Sequence, residues 1–136
     1  MEYRLATPED AALICRFVND QQTAYQEKDL RSFLEQEDAK AFLAVDGEVV
    51  GFAYGCILHR PDGRKDFYLH AIDVAEKSQG QGYGTALVRY IDDWRKRIGC
   101  RKMFLITNKS NPKACKCYEK AGGIAPSDDD VVYVFQ

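Results

Sequence analysis

The sequence predicts one α/β domain of the α+β kind, with a mixed, mostly antiparallel sheet and helices on both faces. The chain has 136 residues, a length that fits one hydrophobic core. Three alternating apolar segments separated by turns predict an antiparallel meander. A strand, a crossover helix and another strand then predict a parallel pair in the middle of the sheet. We therefore expect a single domain over residues 1–136.

The first half of the chain predicts a strand, two helices and the meander. Tyr3-Arg4-Leu5-Ala6 alternates as a short strand does. Thr7-Pro8-Glu9-Asp10 is typical of a helix start, because proline suits the first helical position and acidic residues favour the positive helix end. This helix is expected to reach Asn19, and a second one to cover Leu30 to Glu35. Hairpin signals at Asp46-Gly47 and Asp62-Gly63 separate strands predicted at 41–45, 49–58 and 67–74.

The second half predicts two helices that alternate with strands. From Gly84 the apolar residues recur on one helix face, and Gly99 follows as a helix stop. A strand is expected over Met103 to Ile106. Asn111-Pro112 then opens a helix that Gly122-Gly123 closes, and Val131 to Phe135 predicts a final strand.

Composition excludes several classes of function. Nineteen Lys and Arg against 21 Asp and Glu give a formal charge of −2, which offers no electrostatic footprint for nucleic acid. No run approaches the roughly 20 apolar residues of a membrane span, and the first residues lack a signal-peptide pattern. The five cysteines are irregularly spaced, which argues against a disulfide scaffold or a metal site. We expect a cytoplasmic protein without nucleic-acid or membrane partners.

A glycine-rich loop, Gln79-Gly80-Gln81-Gly82-Tyr83-Gly84, lies between a predicted strand and a predicted helix. Backbone amides at a helix start bind anions, and glycines let a phosphate approach the main chain. A tight connection alone is the other interpretation, but it needs fewer glycines. Thr85-Ala86 follows the loop, so the P-loop pattern fails, and both registers of the dinucleotide fingerprint fail as well. The pattern Q-x-x-G-x-G remains.

This loop resembles motif A of the GNAT family of acyl-CoA-dependent N-acyltransferases. The order of elements is similar to the GNAT fold across the whole chain. The family's N-x-x-A-x-x-x-Y-x-x-x-G helix is matched by Asn111, Ala114, Tyr118 and Gly122. Gly123 stands where the family usually has Phe, a departure that leaves the loop untouched.

The resemblance implies acetyl-CoA as the cofactor. Loop amides would cradle its pyrophosphate, the main chain of Ile72 to Val74 would pair with its pantetheine, and Asn111 would bond the pantetheine arm. A helix cap is a second role open to Asn111. The implied cofactor-binding set is Ile72, Asp73, Val74, Gln79, Gly80, Gln81, Gly82, Tyr83, Gly84, Thr85, Asn111 and Tyr118.

The implied chemistry needs an acid and a base. The family places the phenol at Tyr118 beside the coenzyme sulfur, which makes it the candidate acid. His70 is the candidate base, since histidine transfers protons near neutrality and arylalkylamine N-acetyltransferases carry a His at this place. Those enzymes have a second His where this chain has Tyr68, and the similar aminoglycoside 3-N-acetyltransferases have an acid at Ala71. Simple alternation puts 68, 70 and 72 on one face and Asp73 on the other, which makes Asp73 a weaker candidate for the same site.

The acceptor side of the resemblance points to Tyr25 and to Asp128, Asp129 and Asp130, whose carboxylates would attract a cationic amine. A solvated turn is the other interpretation of the three aspartates. We expect acetyl transfer to a primary amine of a small molecule, either aminoglycoside-like, a polyamine or an arylalkylamine. A peptide or protein amine and a non-catalytic acyl-CoA sensor remain alternatives. The resemblance is compatible with a homodimer, although the sequence shows no interface.

Overall fold

The computed structural model describes residues 1–19 and 24–136. The strands in these ranges are β1 (Glu2–Leu5), β2 (Ala39–Asp46), β3 (Glu48–His59), β4 (Lys65–Val74) and β5 (Met103–Phe104). The helices are α1 (Ala11–Asn19), α2 (Glu27–Leu34), α3 (Tyr83–Arg97) and α4 (Pro112–Lys120). Short 3-10 turns at Pro8–Asp10 and Glu76–Ser78 precede α1 and the glycine loop. The predicted order of elements is confirmed as far as α4.

The strands form one sheet in the order β1-β2-β3-β4-β5. The first three pairings are antiparallel, and β4 runs parallel to β5 through two residue pairs, Phe67 with Met103 and Tyr68 with Phe104. The mixed sheet with a parallel pair is therefore confirmed. The pair lies at one end of the described sheet and not in the middle, because no described strand pairs with the outer edge of β5.

Each face of the sheet is covered by its own apolar cluster. On one face α1 and α2 bring Ile14, Phe17 and Leu30 against Leu43 and Phe52. On the other, α3 brings its apolar stripe against buried rings of the sheet, and Trp94 packs edge-on to Phe42 and Phe67 at centroid distances of 4.9 and 5.2 Å. Helices on both faces are thus confirmed, and the helical spacing of the stripe on α3 explains the second cluster.

A β-bulge in β4 decides which residues of this strand lie on each face of the sheet. Tyr54 pairs with Ala71 and Gly55 pairs with Leu69, so His70 is an extra residue opposite β3. Gly55 permits this kink, since a Cβ there would overlap the carbonyl group of Tyr68.

The bulge reverses part of the predicted alternation. Asp73 pairs with Phe52 and lies on the face of α1 and α2, together with Tyr68 and His70. Ile72 packs into the opposite cluster, beneath α3. The prediction that 68, 70 and 72 share a face opposite to Asp73 is wrong, because counting by two cannot detect one inserted residue.

Three further sequence expectations differ from the structure. Val131 to Phe135 forms no strand, and its side chains are exposed. The strand expected over Met103 to Ile106 ends at Phe104, where the chain leaves β4. Helix α2 begins at Glu27 instead of Leu30, since polar residues supply its first turn and carry no apolar signal.

Candidate active site

The edge of β4 that faces β5 is open over most of its length. Beyond Tyr68 no residue of β5 pairs with β4, while the opposite edge stays bonded to β3 as far as Val74. Unpaired backbone groups at such an edge accept an extended ligand as an added strand. Ile72, Asp73 and Val74, the predicted pantetheine-binding residues, lie on this edge. The side-chain amide of Gln79 donates to the Val74 carbonyl at 3.2 Å and closes the end of the strand.

The glycine loop continues from this edge into α3. Gly80 and Gly82 have φ values of +82° and +83°, and Gly82 is the N-cap of α3. A Cβ at either glycine would meet nothing within 4 Å, so the space above the loop is open. The Ala86 amide donates to the Gly82 carbonyl at 3.0 Å, which is the first bond of the helix. The preceding backbone amides are those of Tyr83, Gly84 and Thr85. They have no acceptor within the helix, so they are suited to bind an anion.

Helix α4 meets the loop where β4 ends. A Cβ at Gly84 would lie 3.4 Å from the Cys117 sulfur and 3.5 Å from a methyl carbon of Val74. The Thr85 hydroxyl also donates to the Cys117 sulfur at 3.6 Å. Gly84 therefore marks the place where α3, α4 and β4 converge, and a methyl group there would be in ordinary van der Waals contact with both neighbours.

Asn111 caps α4, since its side-chain oxygen accepts the Ala114 amide at 3.2 Å. The capping role that the sequence left open is thus present. The side-chain nitrogen, which the cap does not use, remains able to donate to a ligand.

Tyr118 projects from the face of α4 that packs against the sheet. Burial raises the pKa of its phenol, and nearby Cys117, Cys115 and Asp73 raise this pKa further. The hydroxyl is therefore protonated at neutral pH and is a hydrogen-bond donor. Within residues 1–19 and 24–136 it makes no hydrogen bond to another protein group.

His70 lies on the cleft side of β4, at the bulge. Its ring is 5.3 Å from the Tyr68 ring in a stacked arrangement and 5.2 Å from the Tyr54 ring in an edge arrangement. Tyr68 in turn stacks on Phe104 at 5.1 Å. The ring of His70 is exposed and lies against these aromatic neighbours, Tyr68 and Tyr54.

A cavity of about 310 Å³ lies beside the cleft, on the side of α2. The described residues that line it are Ala24, Tyr25, Gln26, Asp29, Leu30, Phe33, Phe52 and Tyr54. The structure thus places the predicted acceptor residue Tyr25 in a mainly aromatic cavity. The Tyr25 backbone amide donates to the Asn19 side chain at 2.7 Å, which fixes the approach to α2.

The three predicted acceptor aspartates lie elsewhere. Asp128, Asp129 and Asp130 are exposed in a segment without regular structure and do not line the cavity. Asp128 faces Lys109 at 3.7 Å. The solvated-turn interpretation therefore describes their position.

Sequence reasoning missed most of the cavity lining. Phe52 and Tyr54 are two residues apart and lie on one face of β3. This spacing is visible in the sequence, but it is equally typical of side chains that fill a core. Phe33 and Asp29 come from α2, and only the packing of α2 against β3 brings them to the same cavity. Gln22 and Thr23, which precede Tyr25 in the same polar segment, lie outside the described ranges.

The carboxyl group of Asp73 on β4 has an altered pKa. Its side chain is open to solvent on one side, yet the surrounding cleft raises the pKa of its carboxyl by partial desolvation. Asp73 also raises the pKa values of Tyr25 and Tyr118, although burial is the larger cause for both phenols.

Comparison with known proteins decides the family. The profile of the acetyltransferase (GNAT) family matches residues 9–123. The chain belongs to the GNAT acetyltransferase family. The resemblance seen in the loop and in the α4 motif is thereby confirmed.

Solved structures resemble this GNAT chain in fold. An aminoglycoside acetyltransferase, meta-AAC0020, from an uncultured soil metagenomic sample in complex with sisomicin, superposes with a TM-score of 0.82 at 16% identity, covering 99% of this chain and 94% of the other. A ribosomal-protein-alanine N-acetyltransferase from Brucella melitensis biovar Abortus 2308 superposes with a TM-score of 0.78 at 22% identity, covering 98% and 100%. The two differ in the acceptor that their names imply, so the likeness establishes the fold.

Curated relatives are similar over parts of their length. An uncharacterized N-acetyltransferase, YobR, of Bacillus subtilis (strain 168) is 41% identical over 40% of this chain and 22% of its own. A mycothiol acetyltransferase of Renibacterium salmoninarum is 30% identical over 79% of this chain and 33% of its own. The chain therefore spans only about a fifth to a third of these two relatives.

Other expected features of the GNAT chain concern metals and membranes. In the part of the chain that the structure describes, no cluster of three His, Cys, Asp or Glu side chains is placed to hold a metal ion. The five cysteines are free thiols. None of the described helices has both the length and the apolar character that a membrane crossing requires.

Proposed function

We propose that this protein transfers an acetyl group from acetyl-CoA to a primary amine of a small molecule, by direct attack in a ternary complex. One observation carries the proposal. The open edge of β4, the left-handed glycines and Tyr118 meet at the end of β4, next to a separate aromatic cavity. The edge of β4 and the glycine loop suit an extended phosphate-bearing ligand, and the aromatic cavity suits a compact acceptor.

The residues at the end of β4 fit acetyl-CoA. Open space over Gly80 and Gly82 admits a pyrophosphate to the amides of the loop. Backbone groups of Ile72 to Val74 accept the pantetheine amides as an added strand. The nitrogen of the Asn111 side chain supplies a donor from α4. When bound, the cofactor supplies an acetyl thioester whose carbonyl carbon is the electrophile.

Acetyl transfer requires loss of a proton from the acceptor. A lysine-like amine has a pKa near 10.4, so only about one in 10³ is neutral at pH 7. His70, exposed in the cleft, is the proposed proton acceptor, directly or through water. Backbone amides near Ile72 and Val74 polarise the carbonyl, and Tyr118 donates its hydroxyl proton toward the leaving sulfur. Because the pKa of Tyr118 is raised, its hydroxyl is protonated at neutral pH and has a proton to donate to the leaving sulfur.

A small acceptor is supported by the cavity, whose volume of about 310 Å³ is at the low end of ordinary ligand pockets. The similar structures include an enzyme bound to an aminoglycoside and an enzyme named for a ribosomal protein. A cavity of this size with a largely apolar lining favours a small molecule over an extended peptide.

The test measures free thiol released from acetyl-CoA by the purified protein with a panel of phenethylamine, spermidine, an aminoglycoside and an amino-terminal peptide. Acetyl-CoA binding is measured in parallel by calorimetry. Release with the small amines and not with the peptide is the expected result. Release with the peptide alone refutes the small-molecule acceptor. Tight binding of acetyl-CoA without release for any amine refutes the enzyme and favours the sensor.

A further inference from the structure

The proposed chemistry assigns no role to the carboxylate of Asp73, which lies on the same face of β4 as His70. The main chain of Asp73 lies on the open edge of β4, and its side chain lies on the opposite side of the sheet from its neighbour Ile72. The bulge at His70 places this side chain on the same side as Tyr68 and His70. In the described ranges, no group donates a hydrogen bond to this carboxylate, whereas Asp66 and Asp10 are each paired with arginine. Asp73 therefore retains its capacity to bind an external cation.

The neighbours of Asp73 belong to both halves of the site. It pairs across the sheet with Phe52, which lines the aromatic cavity. It interacts electrostatically with the phenol of Tyr25 in that cavity and with the phenol of Tyr118 on α4. The carboxylate thus stands between the space for the acceptor and the place where the thioester would be attacked.

We propose that Asp73 binds the ammonium group of the acceptor and sets its position for attack. This inference rests on the proposed function and narrows its substrate class. The acceptor is a primary amine on a compact apolar or aromatic body, which the rings of Phe33, Phe52 and Tyr54 surround. A charged group next to aromatic faces is favourable as well, since ammonium ions are attracted to the faces of such rings.

The charges around the cavity indicate how many positive charges a well-matched acceptor has. Among the described residues, the lining contains one carboxylate, Asp29, and is otherwise uncharged. Asp128, Asp129 and Asp130 are not among the lining residues. Several ammonium groups of a polycation such as an aminoglycoside would find few partners among these residues, and a partly desolvated charge without a partner is costly. A monoamine matches the site better.

The test compares Asp73→Asn with two variants that make the same chemical change elsewhere. Asp29→Asn alters the carboxylate of the cavity lining, and Asp93→Asn alters an exposed position of α3, away from the cleft. The probes are phenethylamine and its neutral analogue phenethyl alcohol. Calorimetry measures binding of each probe to the wild type and the variants, and thiol release measures KM and kcat for phenethylamine.

The expected result is specific to charge and position. A hydrogen bond to a charged group contributes about 1.5–3 kcal/mol, so Asp73→Asn weakens phenethylamine binding and raises KM about 10- to 150-fold. Binding of phenethyl alcohol and of acetyl-CoA stays unchanged, and Asp93→Asn behaves as wild type. A loss seen with Asp29→Asn and not with Asp73→Asn, or with neither variant, overturns the proposal.

The experiment distinguishes failure of the proposed acetyltransferase activity from failure of the proposed role of Asp73. If the wild type releases no thiol with any amine, the proposed function fails, and the calorimetric comparison still decides whether Asp73 holds the ammonium. If the wild type acetylates phenethylamine and Asp73→Asn does so with the same KM, the function stands and the role of Asp73 is wrong. Thermal unfolding of each variant verifies that the carboxylate change leaves the fold intact.

Discussion

Replacement of Gly82 by alanine separates the role of the glycine loop in the fold from its role in binding. Gly82 has a φ of +83° and open space where a Cβ would project. Gly63, in the hairpin between β3 and β4, has a φ of +86° and is equally open. The two glycines therefore impose the same backbone strain on an alanine, but only Gly82 adjoins the proposed phosphate site.

The strain and the binding loss have different magnitudes. An L-residue in the left-handed region costs about 1–2 kcal/mol, and the smaller freedom of the unfolded chain offsets about 0.4–1 kcal/mol of it. Each variant is expected to lose about 1 kcal/mol of stability, which lowers the Tm of a 136-residue chain by about 3–4 °C. A methyl group that displaces one charge-assisted amide–phosphate bond costs about 1.5–3 kcal/mol, or about 10- to 150-fold in Kd.

Calorimetric titration with acetyl-CoA and thermal unfolding test both quantities. We expect matching falls in Tm for Gly82→Ala and Gly63→Ala, with weakened acetyl-CoA binding for Gly82→Ala alone. Equal Kd values for the two variants would refute the assignment of the loop as the pyrophosphate site. A Tm change for Gly82→Ala much larger than for Gly63→Ala would refute the claim that its methyl group meets no protein atom.

Three further expectations concern catalysis, pH and packing. Tyr118→Phe should lower kcat about 10²-fold, far more than it changes the Kd of acetyl-CoA, and an unchanged kcat across the pH range in a folded variant contradicts the acid role. Arg4 hydrogen-bonds Asp10 at 2.8 Å and lowers its pKa, so the pair stabilises the fold above the unfolded pKa of about 3.9 and this stability is lost as pH falls through the lower folded pKa. Urea midpoints of wild type and Asp10→Asn should therefore differ at neutral pH and converge in acid, and a constant difference argues against the pair. Gly55→Ala places a Cβ against the Tyr68 carbonyl, so denaturant unfolding should show a loss of about 1–3 kcal/mol, while wild-type stability would mean that the bulge adapts freely.

Much of the fold and of the cofactor side was predictable because it depends on short-range patterns. The helical stripe of α3, the hairpin glycines and the capping residue Asn111 all act within a few residues of their own position. The exposed segment Val131 to Phe135 shows the limit of such patterns. Its composition favours a strand, but a strand also needs a bonded neighbour, and β5 stops at Phe104.

The acceptor side was less predictable because it combines distant parts of the chain. Tyr25 was named from the sequence, yet the cavity around it requires α2 to pack on β3. The three aspartates near the C-terminal end formed the most acidic run of the sequence, but they lie away from the cavity. Local charge density therefore pointed to carboxylates that do not line the cavity, and the acceptor site proposed above lies nearer to Asp29 and Asp73.

The sequence by itself determined the family, the glycine loop and the candidate acid, because each is a local motif whose spacing carries its chemistry. The tertiary structure decided which residues of β4 lie on the face of the aromatic cavity. One extra residue at His70, permitted by the missing side chain of Gly55 on the neighbouring strand, turns Asp73 toward the aromatic cavity. Strand register depends on pairing with another strand, so no reading of β4 alone reveals it.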